Sequence, residues 1–167
     1  MITVRHLHPA CEPKIRRIVR VDLTPNGMPG KTEELCCDEV APGKYVVCCL
    51  PFFAYGIAFG DLISAPAENL QFASVLRHSG LRTLRACFVE HSLAATLHEP
   101  VHAILSSLRH PHEWHGNGYF AVLLPDQQAE EETLKALAEF VENGILTHEV
   151  EPDSTADHSG DPAGLTV

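Results

Sequence analysis

"PVHAILSSLRHPHEWHGNGYFAVLLP", residues 100–125, sets two hydrophobic periods side by side. Val101, Ile104, Leu105 and Leu108 recur at helical spacing and predict a helix that opens at Pro100. From His112 the pattern becomes a hairpin, with Gly116-Asn117-Gly118 supplying residues that tolerate positive φ. Upstream, "TLRACFV" (83–89) reads as a strand. Downstream, "QAEEETLKALAEFVENG" (128–144) reads as a second helix. Glu130, Glu131 and Glu132 lie in its first turn, where the dipole favours negative charge, and Gly144 ends it. "ILTHEVE" (145–151) supplies a last strand. The order β-α-β-β-α-β is that of a ferredoxin-like split βαβ unit.

The first half reads differently. "KIRRIVRVD" alternates imperfectly and predicts an edge strand, ended by the turn formers of "TPNGMPG" (24–30). Residues 33–50 predict two strands around a turn at Ala41-Pro42-Gly43-Lys44. "ENLQFASVLRHSG" and "LRTLRACFVEH" predict another strand pair, joined near Ser79-Gly80. The expected fold is α+β, a β-rich N-terminal lobe (15–82) joined to a ferredoxin-like C-terminal lobe (83–150). Residues 1–14 are assigned to an N-terminal arm. Residues 151–167, acidic and poor in large apolar groups, are assigned to a disordered tail.

A chain of 167 residues, 45% of them hydrophobic, suits one domain or two small lobes sharing a core. No run of 18 apolar residues predicts a transmembrane helix. The first residues, "MITVRHLHPACEPKIRRIV", lack the unbroken apolar stretch of a secretory signal, which points to the cytoplasm. The six cysteines, four of them in adjacent doublets, agree with that compartment and read as small apolar residues. The net charge of −10 is uneven. Residues 1–31 hold six basic groups against two acidic ones, and residues 32–150 hold six against sixteen. An acidic body argues against nucleic-acid binding by the main domain and attracts a basic protein partner. It also serves solubility alone.

The distinctive stretch is "LPFFAYGIAFGDLISA" (50–65), preceded by "EELCCDEVAPGKYVVCC" and followed by "LQFASVLRHSGLRTLRACF". Pro51, Phe52, Phe53, Ala54, Gly56, Ile57, Ala58, Gly60, Asp61, Ser79, Gly80, Thr83 and Arg85 carry the pattern. Over about residues 33–150 the chain resembles the bacterial domain-of-unknown-function family 4265. It departs from the family where Cys36 stands at a strand position usually held by Trp. The family carries no established activity. Members encoded near secreted-toxin genes make the resemblance imply a toxin-neutralising, immunity-type role. Physically the motif reads first as core and turn, with Asp61 capping a turn through its carboxylate. In the functional reading Phe52, Phe53, Tyr55, Phe59 and Asp61 line a groove for a partner or ligand.

Catalytic signals are weak. "HEPVH" (98–102) matches the H-E-x-x-H pattern of zinc peptidases, which needs both imidazoles on one face of a regular helix. Pro100 disfavours helix at Glu99, so His98 and Glu99 are placed before the helix and His102 within it. His98 and His102 are weighed as metal ligands and set aside. His112 and His115, on one strand, are expected to face opposite ways. A hairpin centred on Pro42-Gly43 pairs Cys36 with Cys49 and Cys37 with Cys48, at distances a disulfide can span. The two pairs lie on opposite faces, which argues against a four-cysteine zinc site. There is no nucleophile elbow and no phosphate loop. The expectation is a non-catalytic, cytoplasmic, acidic binding protein of immunity type, with no cofactor, no membrane contact and a basic toxin as partner. A small-molecule-sensing or regulatory module with a pocket between the lobes is the alternative, and a zinc-dependent hydrolase the remote one.

Overall fold

The computed structural model describes residues 2–151, so the expected disordered tail lies, but for Glu151, outside the described residues. The strands are β1 (Ile2–Arg5), β2 (Arg16–Asp22), β3 (Lys31–Ala41), β4 (Lys44–Val47), β5 (Leu62–Ser64), β6 (Ser74–Arg77), β7 (Arg82–Phe88), β8 (His112–His115), β9 (Tyr119–Leu124) and β10 (Leu146–Val150). The helices are α1 (Ala94–Leu108) and α2 (Gln127–Glu142). The chain is α+β.

The first sheet runs β1-β3-β4-β5-β6, with β2 on the other side of β3. β3 is its spine: β1 pairs with it in parallel, β2 and β4 antiparallel. Buried on both faces, β3 carries Leu35, Cys36 and Cys37 into the core, where small thiols pack as apolar groups. Residues 2–5, assigned from sequence to an arm, add a strand, because Ile2–Arg5 meets the free edge of Lys31–Glu34.

Two strand pairings differ from those the sequence predicts. A bulge between Glu39 and Ala41 shifts the β3–β4 register, so Cys37 faces Val47 and not Cys48. The Cys48 amide donates to the Cys36 carbonyl at 2.8 Å, the Cys36 amide donates to Cys49 Sγ at 3.2 Å, and all six thiols are free. Likewise β6 does not pair with β7. β6 edges the first sheet beside β5, while β7 has both edges occupied in the second.

The second sheet is antiparallel, in the order β10-β7-β9-β8. Alternation along it divides the core in two. Leu84, Ala86, Phe88, Phe120, Val122 and Leu124 pack under α1 and α2 with Val101, Leu105 and Leu137. Ala121 and Leu123 point the other way and join the core of the first sheet. The molecule is therefore layered as helices, four-stranded sheet and six-stranded sheet. Asp126 caps α2 by accepting the Ala129 amide at 2.8 Å, and α2 ends near Gly144 as its sequence predicts.

α1 begins earlier than predicted. It starts at Ala94, with Pro100 inside it, so His98 and Glu99 are helical. Good helix formers at Ala94, Ala95 and Leu97, and burial of Ala94, outweigh the restriction proline places on its neighbour. Among the described residues no helix is long and apolar enough to cross a membrane.

Candidate functional site

Glu33 lies on β3 with the parity of Leu35, so its carboxylate points inward and is fully buried. Three consecutive amides of the motif loop donate to it: Phe52 at 2.6 Å, Phe53 at 2.9 Å and Ala54 at 2.7 Å. His6, just beyond β1, joins Glu33 through Nε2 at 3.0 Å and Glu113 of β8 through Nδ1 at 2.6 Å. Glu113 also accepts the amides of Ala10 and Leu50, each at 2.8 Å. The His6 ring stacks on Phe52 with centroids 4.6 Å apart. One buried cation and two buried carboxylates thus tie the N-terminus, the motif loop and the second sheet together.

The charges of this knot sustain one another. Burial opposes a charged His6, yet hydrogen bonds and charge from Glu113 and then Glu33 raise its pKa to about 9. Burial likewise opposes a charged Glu33. The His6 hydrogen bond and charge, with the Phe52 and Phe53 amides, hold it below the ordinary carboxylate range. Every partner is internal and the side chains are almost fully buried, which makes the knot a scaffold.

Asp61 does the same work at the other end of the motif. Its carboxylate accepts the Ala58 amide at 3.0 Å and the Ser79 amide at 2.7 Å, and meets His78 Nδ1 at 3.2 Å. Gly60 beside it has φ +80°, and a Cβ there would stand 3.2 Å from Ser79 Cβ. The glycine–aspartate pair and the distant Ser79-Gly80 are one clamp.

Between these anchors the loop lies over the end of the second sheet and leaves an open pocket of about 220 Å³. Its floor is Cys87, Tyr119, Thr147 and Glu149, and its wall is Phe53 and Tyr55. Arg85 lies under Tyr55, its guanidinium carbon 4.8 Å from the ring centroid. Arg85 Nε donates to the Pro51 carbonyl at 2.9 Å and Nη2 to Glu151 at 2.7 Å. The Tyr55 hydroxyl donates to Glu149. Burial, then the Glu149 hydrogen bond and charge, push Tyr55 up to about 12. Burial and Glu149 also raise the Cys87 thiol.

The chain matches the family model described as a domain of unknown function, DUF4265, over residues 33–148. The chain belongs to the DUF4265 family. The DUF4265 match begins at Glu33 and spans the motif loop, its Asp61 clamp and the pocket floor as far as His148. His6 lies before it. No curated protein matches the chain. One solved structure, described as a novel crystal structure of a hypothetical protein from Neisseria gonorrhoeae, is similar. It is 18% identical with a TM-score of 0.61, over 83% of this chain and 95% of that one. That likeness concerns the fold.

Of the five groove residues expected from sequence, the structure brings Phe53 and Tyr55 to the pocket. Phe52 is fully buried beneath it, Phe59 packs on the first core, and Asp61 is a buried clamp. His98 and His102 do share a helix face, with ring centroids 6.0 Å apart. His102 Nδ1 is met there by the Trp114 indole N–H at 3.2 Å and by His112 Nε2 at 3.2 Å. Among the described residues no three His, Cys, Asp or Glu side chains converge as a metal site. His112 faces this cluster while His115 packs on Phe52 and Phe53, on opposite sides of the sheet. Sequence reasoning missed His6, Glu33, Glu113, Tyr119 and Glu149. The available signal was a charged residue at an inward strand position: Glu33 in "TEELCC" and Glu113 in "HEWH".

Proposed function

We propose that the protein is a non-catalytic, cytoplasmic binding protein of immunity type that neutralises a toxin with a basic surface. One observation carries this reading: the buried groups capable of chemistry are consumed internally, while the exposed face of α2 is lined with carboxylates. His6, Glu33, Glu113 and Asp61 spend their lone pairs and protons on the chain's own backbone and on one another. α2 exposes Glu131, Glu132, Glu139 and Glu142 against Lys135. With a net charge of −10, such a surface steers encounter with a cationic partner. The layout of residues 83–150 as a ferredoxin-like unit belongs to the same proposal. The antiparallel order β10-β7-β9-β8, with both helices on one face, supports it.

The test is association with the product of the adjacent gene, its rate followed against ionic strength. Reversing Glu131, Glu132, Glu139 and Glu142 to lysine is expected to slow association by about tenfold or more at low salt, with little effect at high salt. Absence of association, or a rate indifferent to salt and to charge reversal, contradicts the reading. A second reading, a small-molecule module, is favoured by the pocket beneath Phe53 and Tyr55. Saturable thermal stabilisation by a metabolite, with no protein partner, would select it.

A further inference from the structure

We infer that the pocket under the motif loop is an anchor site for one cationic side chain, arginine or lysine, projected by the protein partner. The inference rests on the proposed reading of a basic partner and names where that partner is held.

Size comes first. At about 220 Å³ the pocket falls short of the roughly 300–1,000 Å³ typical of cofactor-sized or drug-sized ligands. It suits a single long side chain. Chemistry comes next. Phe53, Tyr55 and Tyr119 supply aromatic surface against which a cation is stabilised. Phe53 of the wall and Tyr119 of the floor are in contact, with ring centroids 4.8 Å apart.

Charge decides the sign of the occupant. The ionisable groups around the pocket are Arg85, Glu149, Glu151, His148, Cys87 and the two tyrosines. Arg85 is paired with Glu151 at 2.7 Å, its side chain is 1% exposed, and it lies under Tyr55. Glu149 is exposed and makes no salt bridge among the described residues, so with Glu151 offset by Arg85 the carboxylates around the pocket exceed its arginine by one. Burial and the nearby Glu149 both keep the Cys87 thiol protonated, which adds no competing anion. One group argues the other way: Arg85 Nη1 is buried without a hydrogen-bond partner. Arg85 lines the pocket beneath the Tyr55 ring, with Nε already donating to the Pro51 carbonyl and Nη2 to Glu151.

Position fits an anchor as well. β10 edges the second sheet, and its Thr147, His148 and Glu149 are exposed. The wall is set by Glu33, which fixes the amides of Phe53 and Ala54, so the pocket is preorganised before a partner arrives. Preformed pockets filled by one long side chain are where interfaces concentrate their binding energy.

The experiment uses the full chain, labelled for amide NMR, and three capped amino acids as probes. They are N-acetyl-arginine methylamide, its norleucine counterpart and its glutamate counterpart. The arginine probe is expected to give saturable shifts at the amides of Cys87, Tyr119, Thr147 and Glu149, and the other two weaker ones. Glu149→Gln, an exposed substitution, is expected to weaken the arginine probe by at least about threefold. Phe53→Ala is expected to abolish saturation. No saturable shift at these amides overturns the inference. So does equal response to norleucine, or preference for the glutamate probe. If the partner associates but arginine leaves these amides unmoved, the anchor is wrong while the binding reading stands. If arginine binds here and no basic partner does, the site survives and the binding reading falls.

Discussion

His6 carries the clearest pH-dependent consequence of any single residue. Its pKa rises from 6.5 to about 9 on folding, so its contribution to stability is complete below pH 6.5 and is lost as pH climbs through about 9. That shift corresponds to something on the order of 3 kcal/mol. Chemical denaturation between pH 6 and pH 9 is expected to show a fall of that order, and His6→Gln is expected to flatten the profile. A wild-type profile that is flat across this window contradicts the knot. Glu33→Ala removes the acceptor of three loop amides and one partner of His6, and is expected to destabilise by about 3–5 kcal/mol in the same measurement. Little of this was legible beforehand. Strand alternation places Glu33 inward, but nothing local announces that a histidine 27 positions upstream will meet it. Asp61 was readable as a turn cap because it bonds a near neighbour, Ala58. Its bond to Ser79 was not, since that depends on how β5, β6 and β7 are arranged.

At the scale of elements, the readings that held are those governed by local period. α2, with its end near Gly144, and the β8–β9 hairpin follow from spacing alone. The readings that failed turned on competition. Pro100 was given the start of α1, yet the alanine-rich segment before it is helical and Pro100 leaves the Thr96 carbonyl without its usual donor. Pro100 is exposed, so Pro100→Ala removes no packing and is expected to stabilise the protein by about 1–3 kcal/mol, read as a higher denaturation midpoint. A lower midpoint would mean that the proline shapes the packing of α1. The cysteine doublets failed for a different reason: one bulge residue near Val40 slips the register by one. Cys36, Cys37, Cys48 and Cys49 are at most 3% exposed and free. A thiol reagent without reductant is expected to label Cys11 and Cys87 first, and all six cysteines once the chain is unfolded. Fewer than six after unfolding would reveal the disulfides that the register speaks against.

Over the whole molecule, two sheets share a core through Ala121 and Leu123, and the motif loop is fastened to both by Glu33, Glu113 and Arg85. The α+β class was legible in the sequence, because a change of hydrophobic period at residue 83 survives any detail of packing. The pocket was legible only in its wall. Phe53 and Tyr55 lie in a recognisable motif, whereas Cys87, Tyr119 and Glu149 meet them through strand pairings that no local pattern encodes. The same fastening presents the pocket on the face of the second sheet opposite α1 and α2, beside the exposed edge of β10. Amide hydrogen exchange of the full chain, with and without the product of the adjacent gene, tests that placement most directly. Protection is expected to concentrate at residues 53–56, 86–88 and 147–150. Protection confined to other segments, or none with the partner at saturating concentration, contradicts the assignment of this face as the recognition surface.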